Sequence, residues 1–272
     1  MTERIIESKE DIRRIPTYIE GLDENIEGGI PEGSIVLVSG SAGSMKSSLT
    51  FNILYQEVLK GRIALYICLE QSHVSLLNHM INLGIDFSKI NVMVVGSDVT
   101  QMGKAIVEIK ASNKGALIIS DLGAIRKVIK GAKLNPTSDW WNVIKTVIER
   151  LHDEAGCNLF VMDSLNALYV LSNFEEPRTR LFYIYEFLRE LGMTSMLVSE
   201  MPADMSRYCE YGVEDFLADA VIVLKMVERH RKVTRELNIA KMRATDCNSD
   251  IFSLEFKNGK FKVMYGRQTP LI

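Results

Sequence analysis

The chain has 272 residues, 47% hydrophobic and 25% charged, with a formal net charge of -3. That is the composition of a globular protein with one sizeable core, and the slight acidic excess argues against a nucleic-acid backbone as the main partner, because displacing counterions from phosphates takes a basic surplus. The four cysteines, Cys68, Cys157, Cys209 and Cys247, form no C-x-x-C pair, which excludes a zinc ribbon or a disulfide framework as the organising principle.

The opening "MTERIIESKEDIRRIP" lacks the apolar centre of a secretory signal. No later run approaches the roughly 18 apolar residues of a membrane span, so the expected location is the cytoplasm, with the thiols reduced. One domain is expected over residues 14–265, preceded by an N-terminal extension over 1–13 and followed by a tail over 266–272. The segment "RRIPTYIEGLDENIEGGIPEGS" is dominated by charge and turn formers and reads as a surface lead-in.

"SIVLVSG" then reads as a short buried strand. From Lys46 the pattern turns helical, with Leu49, Ile53, Leu54 and Val58 on one face and Gly61 as a stop. The alternation repeats: "IALYICLE" before "QSHVSLLNHMINLG", "NVMVV" before "TQMGKAIVEIK", "ALIIS" before a long segment containing "SDWWNVIKTVIERLHDEAG", and "NLFVMDS", "PRTRLFYIYEFLRELG" and "TSMLVSE" in succession. Apolar strands separated by amphipathic helices predict an α/β fold, a doubly wound and mostly parallel sheet covered on both faces. After about Glu214 the segments "DAVIVLKMVE", "TRELNIAKM", "IFSLEF" and "KFKVMY" follow one another through short connectors, including "RHRK" and "KNGK", which predicts C-terminal antiparallel hairpins.

Between the first long strand and its helix stands "GSAGSMKSS", Gly40, Ser41, Ala42, Gly43, Ser44, Met45, Lys46, Ser47 and Ser48. Gly40, Lys46 and Ser47 satisfy the phosphate-loop pattern G-x-x-x-x-G-K-[ST]; Met45 breaks it. Such a loop needs inward-pointing N–H groups, a helix N-terminus aimed at the anion, a lysine for the terminal phosphates and a hydroxyl for magnesium. None of these depends on the side chain at 45. If that residue must take positive φ, a non-glycine costs roughly 1–2 kcal/mol, small beside what Mg·ATP binding supplies, so a weakened but working loop is expected.

Two carboxylates at strand ends are candidates for the chemistry. Asp163 ends "NLFVMD" and reads either as a metal-side carboxylate, sharing Mg2+ with Ser47, or as a helix cap. Glu70 ends "YICLE" on the same sheet edge as the loop, where doubly wound sheets collect ligands, and reads either as the general base or, with Ser72, as a helix start.

In order and spacing, "IPTYIEGLDENIEGGIPEGSIVLVSGSAGSMKSSL", "YICLEQS", "LFVMDSLNAL", "TSMLVSE", "GVEDFLADAVIVLKMVE" and "LNIAKMRATD" resemble the KaiC-like branch of the RecA-type ATPases over nearly the whole chain. The resemblance implies a single KaiC domain of RecA-like fold that takes ATP and Mg2+ between adjacent subunits of a homohexameric ring. By the match of "KMRAT" to the family's K-x-R motif, it implies that Lys241 and Arg243 reach the phosphates held by the neighbouring subunit; from the residues alone, both fit a solvated strand end. Three departures stand out. Met45 replaces a glycine, Gln71 replaces the second of paired glutamates and cannot accept a proton at neutral pH, and "GVEDFLA" offers no hydroxyl where the clock protein is phosphorylated.

The expected function is slow Mg-dependent ATP hydrolysis in a regulatory or signalling ring with a further protein partner that the sequence does not name. Two other functions stay open. One is an ATP-sensing scaffold that hardly hydrolyses, motivated by Met45 and Gln71; the other is a recombinase-like DNA-dependent ATPase, which the acidic balance opposes. The basic run Arg229, His230, Arg231, Lys232 and Arg235 has no interleaved aromatics for stacking bases and reads as a solvated hairpin tip.

Overall fold

A computed structural model describes residues 8–95, 99–112, 114–121, 140–172, 174–229 and 231–265. The tail expected over 266–272, His230 of the basic run and the first seven residues of the expected extension lie outside the described residues. The lead-in forms three two-residue strands, β1 (Arg14–Ile15), β2 (Ile19–Glu20) and β3 (Ile30–Pro31). Then come β4 (Ile35–Gly40), α1 (Lys46–Leu59), β5 (Ile63–Cys68), α2 (His73–Asn82), β6 (Asn91–Val95), α3 (Val99–Ala111), β7 (Ala116–Asp121), α4 (Trp140–Ala155) and β8 (Leu159–Asp163). The chain continues through α5 (Leu165–Leu171), α6 (Pro177–Glu190), β9 (Thr194–Glu200), α7 (Glu214–Leu217), β10 (Ala220–Arg229), β11 (Lys232–Met242), β12 (Phe252–Lys257) and β13 (Lys260–Tyr265).

Eleven strands make one sheet in the order β2-β13-β12-β11-β10-β4-β9-β8-β5-β7-β6. From β10 through β4 to β6 every pairing is parallel, and from β10 through β11 and β12 to β13 every pairing is antiparallel. The alternation of side chains along β4 divides the core: Ile35 and Leu37 join the apolar layer under α3, α4, α5 and α6, while Val36 and Val38 join the layer under α1. Helix α4 shows the helical period, with Ile144, Val147, Ile148, Leu151 and Ala155 buried along one stripe. The β12–β13 hairpin turns on Asn258 and Gly259, both at positive φ (53° and 74°), as a tight two-residue connection requires.

One expectation needs correction. The lead-in is not a surface segment: Ile15, Ile19, Leu22, Ile26 and Ile30 are each at most 1% exposed and belong to the core layer that holds α1. Single apolar residues spaced among charges carry no clear period, yet β2 adds to β13 and β1 pairs with β3, which fixes Ile15, Ile19 and Ile30, while Leu22 and Ile26 flank the 3-10 turn Asp23–Asn25 between β2 and β3.

Glu57, near the end of α1, ties this lead-in down. Its carboxylate is 4% exposed and accepts hydrogen bonds from Tyr18, from Lys60 at 3.1 Å and from Arg62 at 3.1 Å. Burial alone raises its pKa, but these bonds together outweigh burial and hold it below the ordinary value. A depressed folded pKa stabilises above the unfolded-state value and is lost as pH falls through the folded one. Glu57→Gln is therefore expected to lower the unfolding free energy at pH 7 by about 2 kcal/mol, with the difference shrinking as pH falls from the ordinary carboxylate value of about 4.3 through the lower folded pKa; denaturation series at neutral and acidic pH check it.

Candidate active site

The loop from Ser41 to Met45 leaves the carboxyl end of β4 and feeds α1. Gly43 and Met45 both take positive φ (76° and 74°), so the methionine occupies the left-handed conformation that the glycine of the pattern would take freely. Its side chain is half-buried and packs on the core layer beneath α1, which offsets part of the strain. Relief of about 1–2 kcal/mol of strain against roughly half of a buried methionine's 1.5–3 kcal/mol comes close to zero. Met45→Gly is expected to leave the unfolding free energy within about 1 kcal/mol of the parent, whereas Met45→Ile, branched at Cβ, should lose about 1–2 kcal/mol; urea titrations separate the two.

Gly40 lies where no Cβ fits: one built there would stand 2.2 Å from the Leu224 carbonyl oxygen. Above it, Lys46, 8% exposed as a residue, donates through its ammonium to the carbonyls of Gly40 (2.9 Å) and Ser41 (3.0 Å). Burial lowers the Lys46 pKa, opposed by the charges of Glu200, Asp163 and Glu70. A cavity of about 490 Å3 opens over the loop, lined by Ala42 to Ser48, Glu70, Gln71, Asp163, Ser164 and Glu200, with His79 and Arg235 at its margins. Ser48 lies within hydrogen-bonding distance of His79 Nε2 (3.1 Å).

The structure resolves what caps the two helices that follow the carboxylates. Ser72 caps α2, accepting from the Ser75 N–H at 3.2 Å, and Ser164 caps α5, accepting from the Ala167 N–H at 3.3 Å. Neither Glu70 nor Asp163 is used as a cap. Asp163, 6% exposed as a residue, accepts through its carboxylate from Tyr66 Oη at 2.5 Å and from the Ser47 hydroxyl. Burial raises its pKa, the Tyr66 and Ser47 bonds oppose this, Glu70 adds to the rise and Lys46 opposes it. Glu70 is exposed and accepts from the Ser164 hydroxyl, which fixes its carboxylate toward the cavity next to Asp163.

Glu200 and Arg235, both lining this cavity, had no functional role in the sequence reading. Glu200 ends β9, paired in register with Gly40, and is the charge that most opposes the lowering of Lys46. Its N–H donates to Asn166 Oδ1 at 2.8 Å. The acid closing "TSMLVSE" is the signal for it, but only the adjacency of β9 and β4 gives that acid a meaning. Arg235 does not belong to a solvated tip: it pairs with Met226, and its Nε donates to the Gly43 carbonyl at 3.2 Å.

Lys241 and Arg243 stay apart from this cavity. Lys241 pairs with Val221, and its ammonium donates to the carbonyls of Ala218 (2.6 Å), Asp215 (3.1 Å) and Phe216 (3.3 Å). Arg243 donates to Asp219 at 2.9 Å, and Asp219 in turn accepts from the N–H of Ile35, the first residue of β4. Both cations therefore sit toward the amino end of β4 and β10, away from the loop of their own chain.

The donor set fits a magnesium–triphosphate: a hydroxyl and a buried carboxylate side by side, an ammonium, a left-handed loop opening a helix, and a polar cavity large enough for the polyphosphate. Comparison with known proteins agrees with this chemistry. The KaiC ATPase family model matches residues 15–267. The circadian clock protein KaiC3 of Synechocystis is 27% identical over 262 residues, covering 94% of this chain and 46% of that protein. A UPF0273 protein of Thermotoga maritima is 28% identical over 235 residues, covering 86% of this chain and 88% of that one. The crystal structure of a KaiC-like protein from Pyrococcus horikoshii superposes with a TM-score of 0.71 at 25% identity, over 93% of this chain and 100% of that one. The chain thus spans about half the length of the clock proteins it matches and most of the length of the shorter relatives.

Proposed function

The chain belongs to the KaiC family of ATPases, and from that membership together with the cavity over the loop we propose that it binds Mg·ATP and hydrolyses it slowly, at the interfaces of a hexameric ring with a regulatory or signalling output. The observation that carries this reading is the convergence of Lys46, Ser47, Asp163 and Glu70, drawn from α1, β8 and the bend after β5, on one cavity. In it, the loop N–H groups and Lys46 hold the phosphates, and Arg235 covers the loop from β11. Ser47 and Asp163 would hold magnesium, which when bound would supply positive charge against the terminal phosphates. Glu70, oriented by Ser164, takes the proton of the attacking water. Gln71 leaves one carboxylate fewer than the family's usual pair, which supports a low rate.

Lys241 and Arg243 act on the neighbour's nucleotide in this reading. Their placement away from the loop of their own chain supports it, since in one copy they have no phosphate to meet. A hydrolysis-poor scaffold is the second reading, favoured by Met45 in its left-handed conformation and by Gln71.

Solution mass measured with and without Mg·ATP tests the ring directly. The expected result is a nucleotide-dependent rise from smaller species to a hexamer of 30.7 kDa chains. A monomeric mass under both conditions would remove the ring and the trans roles of Lys241 and Arg243 together.

A further inference from the structure

Among the exposed apolar features of the described residues, one is convex and one is concave, and their surroundings differ in charge. The convex feature is the Phe216 side chain on α7, 74% exposed. The concave one is a groove of about 330 Å3 beside the nucleotide cavity, lined by Leu69, Ala167, Val170 and Leu171 with Glu70 and Asn166 at its rim. Val170 there is 84% exposed. The groove and the nucleotide cavity share Glu70.

Charge assigns these two features to one another. Phe216 stands beside cations: Lys241 bonds its carbonyl oxygen, and Arg243, whose side chain is 57% exposed, lies just beyond on Asp219. The groove stands beside anions, with Glu70 on its rim and the exposed Glu200 across the adjoining cavity. The phenyl ring points into solvent in its own chain, so it does not fill its own groove. A second copy approaching with Lys241 and Arg243 toward Glu70 and the phosphates would bring Phe216 with them, because the Lys241 ammonium is 3.3 Å from the Phe216 carbonyl oxygen. Such a contact joins different patches of two copies and is heterologous, the type that closes a ring.

We propose that Phe216 of one copy seats in the Leu69–Val170–Leu171 groove of the next, making the apolar anchor of the subunit interface next to the water-activating carboxylate. This rests on the ring reading above and adds a specific contact to it. Covering the groove also removes solvent from one side of Glu70, so assembly and turnover rise together.

The test is a charge-reversal cycle at two solvent-facing positions, read by solution mass, phosphate release and ATP-induced melting shift of the full chain. Phe216→Lys and Val170→Glu are each expected to lower the hexamer fraction in Mg·ATP at least tenfold, and turnover with it, while the ATP-induced melting shift of the unassembled chain persists. The double variant, in which the opposed charges meet across every interface, is expected to regain assembly and turnover above either single variant. A parent that assembles while the single variants assemble equally well, or a double variant no better than the singles, overturns the contact and leaves the ring standing. A parent that never assembles overturns the ring reading itself.

Discussion

Replacing Lys46 by alanine is expected to weaken Mg·ATP binding by at least about a hundredfold and to bring phosphate release to background. The ammonium is almost fully enclosed and occupies its donors with the Gly40 and Ser41 carbonyls, directly over the loop N–H groups. Two of its three donors are held there, which leaves one for phosphate, and a charge-assisted hydrogen bond to phosphate contributes about 1.5–3 kcal/mol, roughly a 10- to 150-fold loss by itself. The electrostatic loss adds to this, because Glu200, Asp163 and Glu70 all face Lys46 and would then repel an incoming polyanion without compensation. Isothermal titration with Mg·ATP reads the result. A dissociation constant within threefold of the parent's would mean that the nucleotide does not sit on this loop.

Glu70→Gln should separate binding from chemistry. A glutamine at this position can still accept the Ser164 hydroxyl, so the geometry at the cavity is retained. It cannot take a proton from water, and removal of a general base costs about 10²–10⁴ in rate. The expected outcome is turnover reduced by that factor with ATP affinity within a few-fold of the parent. Glu200→Gln, assayed beside it, discriminates between the two exposed carboxylates. If turnover survives at position 70 and is lost at position 200, the acid at the end of β9, not the one after β5, activates the water. No measurable turnover in the parent would favour the scaffold.

Much of the fold could be read from local pattern. Continuous apolar runs alternating with helical stripes specify a parallel sheet covered on both faces, and short apolar segments joined by "RHRK" and "KNGK" specify hairpins; both are present with those strands paired as expected. The lead-in was less legible, because isolated isoleucines among charges have no period until β2 and β3 find their partners. In the site, the loop and its lysine were plain from spacing. The carboxylates were ambiguous between capping and chemistry, and the structure removes the capping alternative, because Ser72 and Ser164 take the caps.

The sequence by itself determined the loop between β4 and α1, the family to which it belongs, and the position of Asp163 at a strand end, with Glu70 two residues past the end of β5, because those are consequences of residue type and near-neighbour spacing. Tertiary structure alone decided that β9 lies against β4, so that Glu200 faces Lys46, and that Arg235 turns back from a charged hairpin onto the loop. It also decided that Lys241 and Arg243 stand away from their own cavity. Strand order and side-chain direction across a sheet are set by which apolar faces can be buried together over long separations, and no local periodicity encodes that choice.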